Sequence, residues 1–163
     1  MPDDVQTARL SKLLRRVYQN AQYRRAVPGH GLGLGKTVIT LSAINDLMFD
    51  SFTISRVLVI GPKRVISDTW PAEIRKWDHL RNLDYSIAAG TVKQRVSALN
   101  ASASITLISR DNVKWLVEYY ARYNLPWDFD MVVIDELSSF KSHQSQRFKA
   151  LRSVRPRVRR IVG

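Results

Sequence analysis

A glycine-rich stretch that ends in a lysine and a threonine constrains this chain more than any other feature. It runs from Gly29 to Thr37 with the sequence Gly-His-Gly-Leu-Gly-Leu-Gly-Lys-Thr, and an apolar pattern of helical period follows at once. Glycines let successive backbone N–H groups turn towards one anion without Cβ clashes, and the positive end of the following helix points at the same place. The stretch therefore predicts a phosphate-binding loop that leads into a helix.

Each residue type in such a loop has a chemical task. Lys36 would place a cation on the β- and γ-phosphates of a nucleotide, and Thr37 would offer its hydroxyl to Mg²⁺. The usual pattern has a glycine five residues before Gly35, and His30 occupies that position here. A glycine-rich surface turn in front of an ordinary helix is the alternative interpretation. If the loop binds phosphate, we expect the cofactor to contact Gly31, Gly33, Leu34, Gly35, Lys36, Thr37 and Val38.

A second motif, Met131–Glu136, is a short apolar run that ends in two carboxylates. Such a run is typical of a fully buried parallel strand. In phosphate-loop enzymes an Asp at the end of this strand holds Mg²⁺, and a neighbouring Glu can polarise the attacking water. We therefore interpret Asp135 as a metal ligand together with Thr37, and Lys36, Asp135 and Glu136 as catalytic residues. The alternative is a buried strand that ends in solvated acids.

Length, cysteine content and hydropathy limit the class of protein. The chain has 163 residues, which is the length of one domain. It has no cysteine, which excludes disulfides and cysteine-ligated zinc and fits a reducing compartment. No apolar run approaches the ~20 residues that span a bilayer, so we expect no membrane partner.

The charge of the chain favours a polyanionic partner. The formal net charge is +12, from 26 Lys and Arg against 14 Asp and Glu. Nucleic acid explains such an excess better than a solubilising surface does. The cations that follow Glu136 have no acid among them, and they are Lys141, Arg147, Lys149, Arg152, Arg155, Arg157, Arg159 and Arg160.

Strand patterns alternate with helical patterns along the chain, which predicts an α/β fold with a parallel sheet. The predicted strands are Arg56–Pro62, Tyr85–Gly90, Ile105–Arg110, Met131–Glu136 and an opening strand at Arg159–Gly163. The predicted helices are Lys36 to about Asp50, Thr69–Trp77 with Thr69 as a cap, Thr91–Asn100, Asn112–Tyr123 and Ser145–Val154. A helix over Thr7–Tyr18 and a poor first strand at Tyr23–Val27 precede the loop, so we divide the chain into residues 1–28 and 29–163.

Polar residues follow two of the predicted strands directly. Lys63 and Arg64 come after the first apolar strand, and Ser109 and Arg110 end the third. Ligands of open α/β sheets bind outside the carboxyl ends of the strands. These residues are therefore candidates for contact with phosphate, and a solvated loop is the alternative at Lys63 and Arg64.

Four motifs in this order resemble the first RecA-like lobe of superfamily-two helicases, and more narrowly the Snf-type ATPases of phages and prophages. The motifs are Gly33–Thr37, Val59–Val65 followed by Trp70-Pro71 and Trp77, Ser109–Val113, and Val132–Lys141. The resemblance covers roughly residues 31–163. It implies a three-layer RecA-like P-loop domain that uses ATP and Mg²⁺ to drive movement on double-stranded DNA. It also implies contacts to the DNA backbone from Pro62, Lys63, Arg64, Ser109, Arg110 and Lys141.

The chain also departs from this family. The family has a glutamine-containing motif for adenine upstream of the loop, and Tyr18-Gln19 is the only candidate here. Beyond the position of Gly163, the family continues into a Thr-Gly-Thr-Pro-like motif and a second lobe that carries arginine fingers. We therefore expect a sheet that is incomplete at its C-terminal edge, a second lobe supplied in cis or trans, and weak ATP binding with little hydrolysis by this chain alone.

Three functions remain at this stage. The first is the ATP-binding lobe of a DNA helicase or translocase, placed by its family in the cytoplasm of a bacterium or a phage-infected host. The second is a non-catalytic, basic nucleic-acid-binding remnant of such a protein. The third is another phosphate-loop class, such as a small nucleotide kinase, against which the large basic excess argues.

Overall fold

The computed structural model describes residues 34–135 and 146–162. The predicted site residues Gly31, Gly33, Glu136 and Lys141 lie outside this part of the chain, as does the predicted first strand at Tyr23–Val27. Leu34 and Gly35 are described as the backbone that opens the first helix.

Within the described residues, five parallel strands form one sheet in the order β2-β3-β1-β4-β5. The strands are β1 (Val57–Gly61), β2 (Tyr85–Ala88), β3 (Ile105–Ser109), β4 (Met131–Ile134) and β5 (Arg160–Val162). Strands β1, β3 and β4 are buried on both faces, as their continuous apolar runs predicted. The predicted parallel α/β sheet is confirmed.

Helices cover both faces of the sheet. They are α1 (Leu34–Asn45), α2 (Trp70–Lys76), α3 (Val92–Leu99), α4 (Val113–Arg122) and α5 (Gln146–Val154). Residues alternate across β1, so Val57 and Val59 pack with α1 and α2, whereas Leu58 and Ile60 pack with α3, α4 and α5. The result is the predicted arrangement of three layers.

The direction of α1 follows from its connection to β1. A π-helical turn at Asp46–Asp50 ends the helix, and Thr53 N–H then donates to Leu47 O at 2.9 Å. Arg160, the first residue of β5, donates from Nη1 to Thr53 O at 3.3 Å, so this loop lies where the strands begin. The first turn of α1 therefore lies near the opposite edge, where the strands end.

A contact between α1 and the turn that follows α2 also indicates that the first turn of α1 lies near the edge where the strands end. Ser42 on α1 lies 2.8 Å from Nε2 of His79, and its hydroxyl also donates to Val38 O at 2.8 Å. The hydrogen bond between Ser42 and the His79 ring joins α1 to this turn. Burial lowers the pKa of His79 below its ordinary value, against the opposing charge of Asp78, and this favours the neutral ring.

The helix α2 begins at Trp70, directly after Thr69 as predicted, but the prediction that Thr69 caps it is wrong. Thr69 has helical φ and ψ values and makes no capping bond with its side chain, because a π-helical turn at Val65–Thr69 precedes α2. Pro71 has no N–H, and its ring would clash with the carbonyl four residues before it in a regular helix. The wider turn accommodates Pro71, since Trp70 N–H reaches Val65 O.

Candidate functional site

The carboxyl ends of three adjacent strands bring the predicted site residues to one edge of the sheet. Gly61 at the end of β1 lies opposite Ser109 at the end of β3. On the other side of β1, Ile60 pairs with Ile134, and Asp135 N–H donates to Ile60 O at 2.7 Å. The cations that follow β1 and β3 and the carboxylate that follows β4 therefore share this edge.

Asp135 is half-buried and held on two sides. The indole N–H of Trp70 donates to Oδ2 of Asp135 at 3.0 Å. On the β1 side, a Cβ added to Gly61 would lie only 3.2 Å from the Cβ of Asp135. The carboxylate therefore has a defined direction, and no residue of the described part donates to its second oxygen, Oδ1.

Lys36, Thr37 and Val38 lie in the first turns of α1, at the same edge. The side chain of Lys36 is exposed, whereas Thr37 is 4% exposed and Val38 is 1% exposed. Val38 therefore anchors the helix in the core, and Lys36 extends from it into solvent. Leu34 and Gly35 supply the backbone of the first turn, whose N–H groups have no partner within the helix.

The two cations after β1 are exposed and lie in helical backbone. Lys63 and Arg64 precede the π-helical turn, and Ile66 N–H donates to Pro62 O at 3.0 Å. Neither cation has an ion-pair partner within residues 34–135 and 146–162. Both are therefore exposed positive charges at the edge of the sheet where β1 ends.

Ser109, which ends β3, and Arg110, which follows it, differ in exposure. Ser109 is 8% exposed and so presents little of its side chain, whereas Arg110 is half-buried and opens a 3₁₀ turn. Asp111 in the same turn accepts from Nη1 of Arg147 at 3.1 Å, which joins this turn to α5. Arg110 is therefore the better placed of the predicted pair to meet solvent.

The described acids and histidines fit Mg²⁺ better than a metal held in a protein cage. No group of three or more His, Cys, Asp or Glu residues in the two described ranges is arranged to bind a metal. Mg²⁺ keeps several waters and is commonly held by one or two carboxylates together with substrate phosphates. One oriented carboxylate, that of Asp135, whose Oδ1 accepts from no residue of the described ranges, is consistent with this mode of binding.

Trp70 is the site residue that the sequence interpretation missed. It was recognised only as part of a motif, and in the structure only 2% of it is exposed. The hydrogen bond to Asp135 joins residues that are 65 positions apart. No local pattern could have indicated this pair.

Comparison with known proteins identifies the family. The family model of the SNF2-related domain matches residues 9–163, and the chain belongs to this family. SNF2-related domains form the N-terminal lobe of superfamily-two helicases and are found in ATP-dependent helicases and translocases. The resemblance predicted from the four motifs is confirmed, and so is the RecA-like fold.

A phage protein is also similar to this chain. The protein p41 of Acyrthosiphon pisum secondary endosymbiont phage 1 is 36% identical over 118 residues, which is 72% of this chain. The match covers 25% of p41, so the chain spans about a quarter of that relative's length. The predicted similarity to phage proteins is confirmed. No helix in the described ranges is long and apolar enough to cross a membrane.

Proposed function

We propose that this chain is the ATP-binding lobe of a DNA helicase or translocase that works with a second RecA-like lobe. The observation that carries the proposal is the shared sheet edge, where the carboxylate of Asp135, held by Trp70, and the exposed Lys63 and Arg64 follow the ends of adjacent strands. The first turn of α1, with Lys36 and Thr37, points to the same edge. An acid and cations gathered at strand ends suit a nucleotide and a nucleic acid better than they suit a purely structural surface.

Each site residue has its own role in the proposed reaction. Lys36 and the N–H groups of the first α1 turn bind and orient phosphates, and Thr37 and Asp135 hold the metal ion. Glu136 accepts a proton from the attacking water. Mg²⁺, when bound, would neutralise the negative charge that develops on the phosphates.

The nucleic-acid partner in this proposal is double-stranded DNA, bound through its backbone. Lys63 and Arg64 make the main contacts, with Pro62, Ser109, Arg110 and Lys141 in the same motifs. Contacts to phosphate are independent of sequence, which suits a protein that moves along DNA. The corresponding compartment is the cytoplasm of a bacterium or a phage-infected host.

A non-catalytic remnant that only binds nucleic acid is the second candidate. The net charge of +12 supports it as well as it supports the first candidate. The two differ in what they require of Asp135, because a remnant that binds no nucleotide does not need a carboxylate held in a fixed direction. Nucleotide binding by the chain separates them.

Replacing Lys36 by Ala tests the nucleotide site. We expect the dissociation constant of a fluorescent ATP analogue with Mg²⁺ to rise about 10- to 100-fold, because hydrogen bonds to charged phosphate oxygens are lost. The measurement is a titration followed by fluorescence anisotropy. Lys149→Ala is the matched control, since Lys149 is exposed on α5, which packs on the opposite face of the sheet.

Two outcomes of that titration would count against the ATP-binding lobe. Equal binding by the Lys36→Ala variant and the unchanged chain would show that the loop is not the site. Absence of binding by the folded, unchanged chain would favour the remnant. Circular dichroism spectra of all three proteins establish that they are folded.

The double substitution Lys63→Ala and Arg64→Ala tests the DNA contact. Each cation that neutralises a phosphate contributes about 0.9 to the slope of log K against log salt concentration on duplex DNA. We therefore expect the slope to fall by about 2 in the double variant, with uniform weakening across unrelated DNA sequences. The slope is measured by fluorescence anisotropy of a labelled duplex at several salt concentrations.

Arg81→Ala with Arg122→Ala is the matched control for this experiment. Both arginines are exposed, and they lie before β2 and at the end of α4, away from the carboxyl edge. The control also removes two positive charges, so it shows how much of the change comes from net charge alone. A salt slope that falls equally in both double variants would place the DNA elsewhere.

A further inference from the structure

Trp70 connects the buried core to the carboxylate at the sheet edge. Its ring is 2% exposed and packs in the cluster that lies between the sheet and the helices α1 and α2. Its indole N–H donates to Oδ2 of Asp135 at 3.0 Å. Because the ring is enclosed, the donor cannot follow the carboxylate if the carboxylate turns.

The Gly61 side of Asp135 leaves no room for a further side chain, and the backbone of Asp135 is fixed as well. A Cβ on Gly61 would lie 3.2 Å from the Cβ of Asp135 and 3.3 Å from Cδ1 of Ile66, so only glycine fits there without displacement. The backbone N–H of Asp135 is fixed to Ile60 O at 2.7 Å. Asp135 is thus held by a backbone bond and, among the described residues, by one side-chain donor to its carboxylate.

We propose that Trp70 is a positioning residue that orients the Asp135 carboxylate for Mg²⁺. With Oδ2 engaged by the indole, Oδ1 is the oxygen that faces a hydrated metal ion. Mg²⁺ demands near-ideal octahedral geometry, so a fixed ligand direction improves binding. This inference rests on the proposed nucleotide site, and it assigns Trp70 a role beyond packing.

The substitution Trp70→Phe removes the N–H and keeps most of the ring. Partners that orient metal ligands typically change metal affinity 10- to 100-fold when they are replaced. We expect the Mg²⁺ concentration at half-maximal binding of a fluorescent ATP analogue to rise about tenfold in Trp70→Phe. Binding of the analogue in EDTA should be unchanged, because Trp70 does not contact the nucleotide in this proposal.

Trp77→Phe is a closely matched control. The indole N–H of Trp77 donates to Oε2 of Glu73 at 2.6 Å, so this variant also loses a bond between an indole and a carboxylate on α2. That bond lies away from the site, and the Mg²⁺ requirement should stay the same. Equal shifts in the two variants would overturn the proposal, because loss of packing or stability would then explain both.

A second measurement uses the unchanged chain and does not depend on how well a variant folds. The indole N–H resonance of Trp70 is followed by ¹H–¹⁵N NMR during titration with Mg²⁺ alone and with Mg²⁺ and ADP. We expect it to move, and to stay still in Asp135→Asn, while the Trp77 resonance stays still throughout. A Trp70 resonance that moves in neither titration would overturn the proposal.

The two proposals can fail separately. If Lys36→Ala leaves nucleotide binding unchanged while the Trp70 resonance still responds to Mg²⁺ alone, the nucleotide site is wrong and the contact between Trp70 and a metal ligand stands. If nucleotide binding needs Lys36 but Trp70→Phe leaves the Mg²⁺ requirement unchanged, Trp70 only packs.

Discussion

Replacing Glu136 by Gln is expected to slow ATP hydrolysis about 10²- to 10⁴-fold in the chain combined with a second RecA-like lobe, while ATP stays bound. A positioned general base typically contributes a factor of this size, and glutamine keeps the shape of the side chain but cannot accept the proton. Glu136 directly follows Asp135, which is fixed at the end of β4. The hydrolysis rate is measured as phosphate release with duplex DNA present, and ATP retention by equilibrium binding.

The control for this substitution is Glu118→Gln. Glu118 lies on α4 with 65% of its side chain exposed, in a surface ion pair with Lys114. We expect that variant to hydrolyse ATP at the unchanged rate. If Glu136→Gln is as active as this control, Glu136 is not the catalytic base and the proposed reaction chemistry fails.

The sheet edge that carries the candidate site was predictable from local sequence because strand ends are marked by composition. Apolar runs that stop at Pro62 and at Asp135 gave the ends of β1 and β4 correctly. Parallel strands then bring those ends to the same edge, so the site followed from topology. The motif order supplied the family, which the comparison confirmed.

Tertiary contacts explain what the sequence interpretation missed. Thr69 has the composition of a cap, but burial of Ile66 against Gly61 draws the preceding residues into helical backbone, so no cap is needed. The bond between Trp70 and Asp135 depends on how α2 packs on the sheet. Periodicity reports which face of an element is buried, and it does not report which polar groups meet there.

Asp130 is another residue whose importance only the structure reveals. Its Oδ2 accepts from Ser55 N–H at 2.7 Å, Ser55 Oγ–H at 2.7 Å and Arg56 N–H at 3.2 Å. Its backbone oxygen accepts from the N–H groups of Arg159 at 3.2 Å and Arg160 at 3.1 Å. Asp130 therefore joins the entries of β1, β4 and β5, beside an ion pair between Arg56 and Asp128.

Replacing Asp130 by Ala is accordingly expected to reduce the free energy of unfolding by about 3 kcal/mol at neutral pH. Hydrogen bonds to a charged acceptor contribute about 1.5–3 kcal/mol each, and part exposure of the carboxylate keeps the sum of the three near the value of one strong bond. The measurement is urea unfolding followed by circular dichroism. Glu118→Ala, which removes an exposed ion pair, should cost no more than about 0.5 kcal/mol.

The effect of Asp130→Ala should depend on pH in a defined direction. Burial alone would raise the pKa of Asp130, but the hydrogen bonds from Ser55 and Arg56 and the charge of Arg159 outweigh it and hold the pKa below its ordinary value of 3.8. A carboxyl group with a lowered pKa in the folded state stabilises the protein above the ordinary pKa, and this contribution disappears as the pH falls through the folded pKa. The difference between the unchanged chain and Asp130→Ala should therefore be constant from pH 7 to about pH 5 and shrink below pH 3.8. A difference that persists undiminished in acid would show that Asp130 acts through packing or backbone conformation, because only an ionised carboxylate makes the stabilisation depend on this proton.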